Sequence, residues 1–235
     1  MAIETDEMAL ENAKRIGAFE DDGKQVSVNA ERKVYSIFFV YMRLNRDGTF
    51  AAYRYYFNGT DVPIDPSPDA NIPHSLGFYA RDMAIYARPS SPNDGKYEYH
   101  GSELEGFDFP QRYSYCIFFM DDANWKFLED QQGRPVITFN DKKHGKPYHK
   151  HQHAFGKPEL LNLPMPISGS NDADIRQAAV MVNRMRNKQN VELKAGENES
   201  YNFDLWMRVR YPNSTNGLTL IIDPGGNNLG PPKDP

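Results

Sequence analysis

The sequence predicts an all-β protein, an antiparallel β-sandwich of about eight strands with at most one or two short helices. Three observations point there. Apolar residues fall in short runs bounded by Gly, Pro, Asn and Asp rather than in long helical stripes. Aromatic side chains are plentiful, with 14 Tyr, 14 Phe and 2 Trp in 235 residues, and they concentrate in those runs. Nowhere does a strand pattern alternate with a helix pattern as a doubly wound sheet requires.

Each element has its own local reason. Residues 1–30 are polar and acidic, and 8–16 fit either a short helix or a frayed arm. Residues 34–42 are nearly continuously apolar, enough for a strand buried on both faces. An Asp47-Gly48 turn then leads to an aromatic partner strand at 49–57, the best hairpin signal in the chain. Pro63, Pro66, Pro68 and Pro73 make 58–74 an irregular loop, because proline removes ladder donors. Residues 76–87 read as a strand stopped before Pro89, and 96–100 as a short alternating strand. A second strong strand is expected at 112–120, and shorter ones at 125–128 and 136–139. Residues 158–171 read as a Pro- and Gly-rich linker.

Residues 175–185 fit two periods. Ile175, Ala178, Ala179, Val182 and Met185 make a helical face, while Ala179, Met181, Asn183 and Met185 make a strand face. Residues 200–211 alternate cleanly, with Tyr201, Phe203, Leu205, Met207 and Val209 set against Asn202, Asp204, Trp206, Arg208 and Arg210. That is a half-buried strand. A turn at 213–217 leads to a last strand at 218–222. The resulting organisation is an acidic arm at 1–30, one sandwich domain at 31–224 and a Pro/Gly-rich tail at 225–235. Ile37, Phe39, Phe118, Phe203 and Leu205 are the expected core.

Charge and targeting signals narrow the function classes. The net charge is −5, and the first 22 residues account for all of it, leaving a neutral body. Neutrality argues against dedicated nucleic-acid binding. No run of 18 apolar residues suggests a membrane span. The acidic N-terminus lacks the apolar core of a secretory signal, so a cytoplasmic location is expected. The single cysteine, Cys116, lies in an apolar run and reads as a small buried hydrophobe.

One constellation carries chemistry. Residues 142–153 hold four of the six histidines. On a strand, side chains two apart share a face, so His149 with His151, or His151 with His153, can clamp one divalent transition metal. A third ligand would come from His74, His100 or Glu159. Gly145 followed by His151-x-His153 fits the opening of a cupin metal motif. However, Glu159 comes too late for that motif, and no histidine follows His153. The alternative is a solvated basic loop in which Lys142, Lys143, Lys146 and Lys150 face an anion or a partner's acidic arm. Elsewhere there is no G-x-S-x-G and no P-loop. Asp121-Asp122 beside Asn124 reads as a turn. The Tyr-rich strands suit a sugar-stacking face as well as a core.

The C-terminal quarter carries a further pattern. Val182-Asn183 precedes a polar gap, then come Tyr201-Asn-Phe-Asp204, a strand closing on Ile222-Asp223-Pro224, and Asn227, Asn228 and Gly230. In these residues the chain resembles the AidA/PixA inclusion-body type of small bacterial cytosolic proteins. The resemblance implies a single β-sandwich, a strand rather than a helix at 176–186, self-association, and no catalytic residues to carry over. The expected function is therefore a non-enzymatic cytosolic β-sandwich that forms homo-oligomers or binds a partner, with no cofactor. The alternatives are a metal-dependent enzyme or metal-binding module using His149, His151 and His153 with a weakly bound divalent metal, or a carbohydrate-binding module.

Overall fold

The computed structural model describes residues 18–20, 36–44, 50–57, 75–87, 102–103, 107–109, 114–122, 124–139, 146–147, 151, 153–166, 173–209, 218–222 and 225–230. The sequence assignments at 8–16, 45–48, 58–74, 96–100 and 213–217 lie outside them. The described residues build two mainly antiparallel sheets and one helix. The sandwich expected from the sequence is the observed architecture.

The first sheet has the order β1-β3-β2-β6-β11-β10, with β4 also on β3. Its strands are β1 (Ala18–Glu20), β2 (Ser36–Leu44), β3 (Phe50–Phe57), β4 (Ser102–Glu103), β6 (Ser114–Met120), β10 (Glu159–Pro166) and β11 (Ala173–Asn183). The expected hairpin is β2–β3, antiparallel with Tyr41 opposite Tyr53. β2 and β6 pair in parallel, with Phe39 beside Ile117.

The second sheet is organised on the long strand β12 (Asn198–Val209). β7 (Trp125–Phe127) and β8 (Ile137–Phe139) line one edge of it, and β13 (Leu218–Ile222) and β14 (Gly225–Leu229) line the other. β5 (Phe107–Phe109) and β9 (Lys146–Pro147) complete it.

Alternation along the central strands explains the layers. Phe38, Val40, Met42, Cys116, Phe118, Met120, Ala179 and Met181 face the second sheet, where they meet Phe109, Phe127, Phe139, Phe203 and Leu205. Ile37, Phe39, Tyr41, Tyr115, Ile117, Phe119, Ala178 and Val180 face the opposite way, against helix α1 (Ser75–Ala87). The nearly continuous apolar runs are thus strands covered on both sides, and all seven residues of β6 are buried. The five expected core residues, Ile37, Phe39, Phe118, Phe203 and Leu205, are all buried.

Three sequence assignments are corrected. Residues 76–87 are helical, not a strand. Leu76, Ala80, Met83, Ala84 and Ala87 recur at helical spacing and cover the outer face of the first sheet. Residues 159–166, read as linker, form β10 and pair with β11 along their whole length. Pro164 and Pro166 are tolerated because β10 is an edge strand of this sheet. Gly225–Leu229, where the tail was expected to begin, is β14 and pairs with β12. At 173–183, where two periods competed, the strand is the one observed. A helix there would leave β6 without its antiparallel neighbour.

Candidate functional site

The histidine segment enters the fold at the open end of β11. β9 pairs with β8, setting Lys146 opposite Phe139. The chain then makes a helical turn, in which the amides of Ala154 and Phe155 both donate to the His151 carbonyl, at 3.0 and 2.9 Å. A bridge between Phe155 and Asn183 continues the turn onto β11. His151 and His153 therefore do not share a strand face as their spacing suggested.

The two rings have separate surroundings. His151 is buried, edge-on to Phe139 at 5.2 Å and to Tyr201 at 5.1 Å. Phe155 stacks on Phe139 and meets Tyr201 edge-on, so the imidazole belongs to an aromatic cluster. His153 is half-buried, and its Nε2 lies 2.8 Å from the Asn187 carbonyl, which can only accept. That nitrogen therefore carries the proton and is committed to the β11–β12 connection. The Tyr201 hydroxyl donates to the neighbouring Arg186 carbonyl at 2.7 Å. Together they hold the connection against the histidine turn.

The ring centroids of His151 and His153 are 6.1 Å apart. Among the described residues no three His, Cys, Asp or Glu side chains converge as a metal-binding group. Glu159 starts β10. His149, His74, His100, Lys142, Lys143 and Lys150 lie outside the described residues, as does the Lys146 side chain.

Two other reactive groups have structural surroundings. Cys116 is fully buried, and burial pushes its thiol up to about 12, so it stays protonated and un-nucleophilic at neutral pH. Asp121 accepts the Tyr41 hydroxyl and lies 3.4 Å from Arg176 Nε, while Asp174 is 2.5 Å from the Arg176 Nη1. This group closes one end of the first sheet. Asp122 accepts the Asn124 amide at 2.8 Å, the turn its sequence suggested.

The feature that sequence reasoning missed is the outer face of the second sheet. Trp206 alternates with the core residues Leu205 and Met207, so it points away from the first sheet. Its backbone accepts from the Leu128 amide at 2.9 Å and donates to the Val136 carbonyl at 3.2 Å, which sets Leu128 and Val136 beside it. On its other side the register sets Ile221 opposite. Leu128, Val136 and Trp206 are half-buried, and Ile221 is 45% exposed. None of the four belongs to either core cluster. The Trp206 indole N–H donates to Thr138 Oγ1 at 2.9 Å, and Thr138 donates to Asp204 at 3.2 Å, fixing the indole in place. One signal was available in the sequence: a lone tryptophan in the polar phase of residues 200–211, among Asn202, Asp204, Arg208 and Arg210.

No family model matches the chain, and neither the curated proteins nor the solved structures contain a significant match to it.

Proposed function

We propose that this protein is a non-enzymatic association module, a β-sandwich that works by docking its second sheet onto another protein surface. One observation carries the reading: Leu128, Val136, Trp206 and Ile221 form an apolar band across an outer sheet face. Apolar side chains that serve neither core yet stay contiguous mark interaction surfaces. A tryptophan fixed by a hydrogen bond suits this role, because little side-chain entropy remains to be lost on docking. The resemblance to the AidA/PixA type also implies self-association. The histidines support the reading indirectly, since His151 packs among aromatic rings and His153 Nε2 is engaged by a carbonyl.

Light scattering on the full chain as a function of concentration tests the reading, with tryptophan emission as the second readout. The chain has two tryptophans, and Trp125 is only 6% exposed. A blue shift that grows with concentration therefore reports on Trp206. Mass and emission should change together. A chain that stays monomeric up to about 100 µM, a range where even weak oligomers assemble, with constant emission, would reject self-association.

A further inference from the structure

The first sheet ends on a strand whose composition invites other chains and whose prolines turn them away. β10 pairs only with β11, and among the described strands with a single neighbour it is the longest, at eight residues. The others, β1, β4, β5, β7, β9 and β13, have five residues or fewer. Leu160, Leu161, Leu163 and Met165 make β10 largely apolar. A long apolar edge with unpaired backbone groups is a template for strand addition.

The prolines decide which backbone groups face outward. In an antiparallel ladder, alternate residues turn both N–H and C=O toward the partner, and the residues between turn both away. β10 pairs with β11 from Glu159 to Pro166 without a break. A proline nitrogen has no hydrogen to give, so the ladder to β11 runs through the odd-numbered residues of β10. Leu160, Asn162, Pro164 and Pro166 therefore turn their backbone to the open side, where Asn162 and Pro164 are exposed. Only Leu160 and Asn162 can donate there. The start of the edge is interrupted as well. Phe155 lies opposite Asn183 and Glu159 opposite Val180, so this side advances four residues while β11 advances three. The extra residue is a bulge at 156–158, which breaks the regular phase of the edge.

We propose that Pro164 and Pro166 guard this edge, and that what they keep out is β10 of a second copy of the chain. A two-fold antiparallel pairing centred on Leu163 is the one that would use the whole strand. It sets Leu160 opposite Pro166 and Asn162 opposite Pro164. Ordinary residues in such pairs exchange two N–H···O bonds, and each of these pairs can make only one. The Leu160 and Asn162 carbonyls would be covered without a donor, which costs free energy. Centring on Leu161 instead sets Leu160 opposite Asn162, but the next positions outward are Pro164 and the bulge. The first sheet therefore stays finite although its last strand is long and apolar. This edge and the apolar band proposed for docking lie on different sheets, so neither depends on the other.

The Pro164→Thr/Pro166→Thr double variant restores both edge donors without adding apolar surface. Light scattering at about 100 µM, where even weak pairs are populated, should give at least about twice the mass of the parent. Backbone amides within 160–166 should exchange hydrogen more slowly than in the parent, because the edge has become a ladder. Adding Asn162→Pro removes the donors nearest the axis, which β11 does not use, and should reverse both gains. Aggregation through unfolding would not be reversed by a third substitution, and thermal melting checks the fold of each variant. A folded double variant that matches the parent in mass and exchange would overturn the proposal, as would a gain in mass that Asn162→Pro leaves in place. If the double variant fails to fold, Pro164→Thr and Pro166→Thr are tested singly, and no gain in mass with either has the same consequence. Every comparison is with the parent under the same conditions, so the result reads the same whether or not the parent associates through its second sheet.

Discussion

The two sheets of this sandwich handle their outer faces differently. The first sheet covers its outer face within the chain, laying α1 over Phe39, Tyr41, Ile117 and Phe119. The second sheet leaves Trp206, with Ile221 opposite it, outside both cores. Both faces contain apolar residues, but only one is closed by the described residues of the chain itself. A sheet buried on both faces serves as the stability element of the domain. A sheet with a partly apolar outer face can keep its fold and still offer a surface. On the association reading proposed above, the two sheets have separate roles. Substitutions between the sheets should damage folding, and substitutions on the outer face of the second sheet should damage association.

The largest effect should come from Phe118, which sits between the layers and meets Phe203 edge-on at 5.9 Å. Phe118→Ala removes a fully buried ring from a site packed on every side and should cost about 3–5 kcal/mol of folding stability. Trp206→Ala removes a half-buried ring and one hydrogen bond, and should cost under about 2 kcal/mol at concentrations where the chain is monomeric. Urea denaturation of both variants checks the contrast. Equal losses would mean that the outer face is as much a part of the folding core as the inner one.

A second, smaller effect sharpens how the second sheet is held. The β11–β12 connection folds back on itself, with Met185 and Asn190 at positive φ. Asn183 Oδ1 accepts the Met185 amide, and Asn187 Oδ1 accepts those of Gln189 and Val191. Gly230 is pressed against the far side of this connection, donating to the Glu197 carbonyl at 2.7 Å. A Cβ there would lie 2.3 Å from the Lys194 carbonyl oxygen and 2.8 Å from that of Glu197. Backbone cannot swing aside as a side chain can, so Gly230→Ala should cost about 1–3 kcal/mol through forced displacement. Thermal melting measures it. A loss close to zero would show that the end of β14 is free to move away from the connection.

Much of this was legible in the sequence, for reasons that differ from element to element. β2 and β6 were readable because a strand covered on both faces is apolar nearly throughout. β12 was readable because its two faces differ so sharply. α1 was misread because burial extends beyond one stripe. Asp82 and Ile85 are buried as well as Leu76, Ala80 and Met83, so the helical period has little contrast. β10 was hidden by its prolines, which only an edge position excuses. The histidine spacing suggested a shared strand face, but the backbone turns at His151 and takes the two rings to different partners. Trp206 stood out of phase in plain sight. Its meaning depended on Leu128, Val136 and Ile221, which are distant in sequence and brought together only by the sheet.

The smallest prediction returns to the covered face of the first sheet. Gly77 lies within α1, and a Cβ at that position would meet no atom within 4 Å. The helix has no acidic residue in its first turn and no basic residue in its last, so its ends gain nothing from the helix dipole. It is held by packing against the sheet, and its backbone preference adds little. Glycine in a helix costs about 0.5–1 kcal/mol relative to alanine, chiefly because the unfolded chain has more freedom to lose. Gly77→Ala should therefore stabilise the domain by about that amount, without changing its association. Chemical denaturation and light scattering on the same sample test both halves. A destabilised variant would mean that residue 77 is in closer contact with its surroundings than this open space allows. A change in oligomer mass would mean that the helical face takes part in association, and the separation of roles between the two sheets would fail.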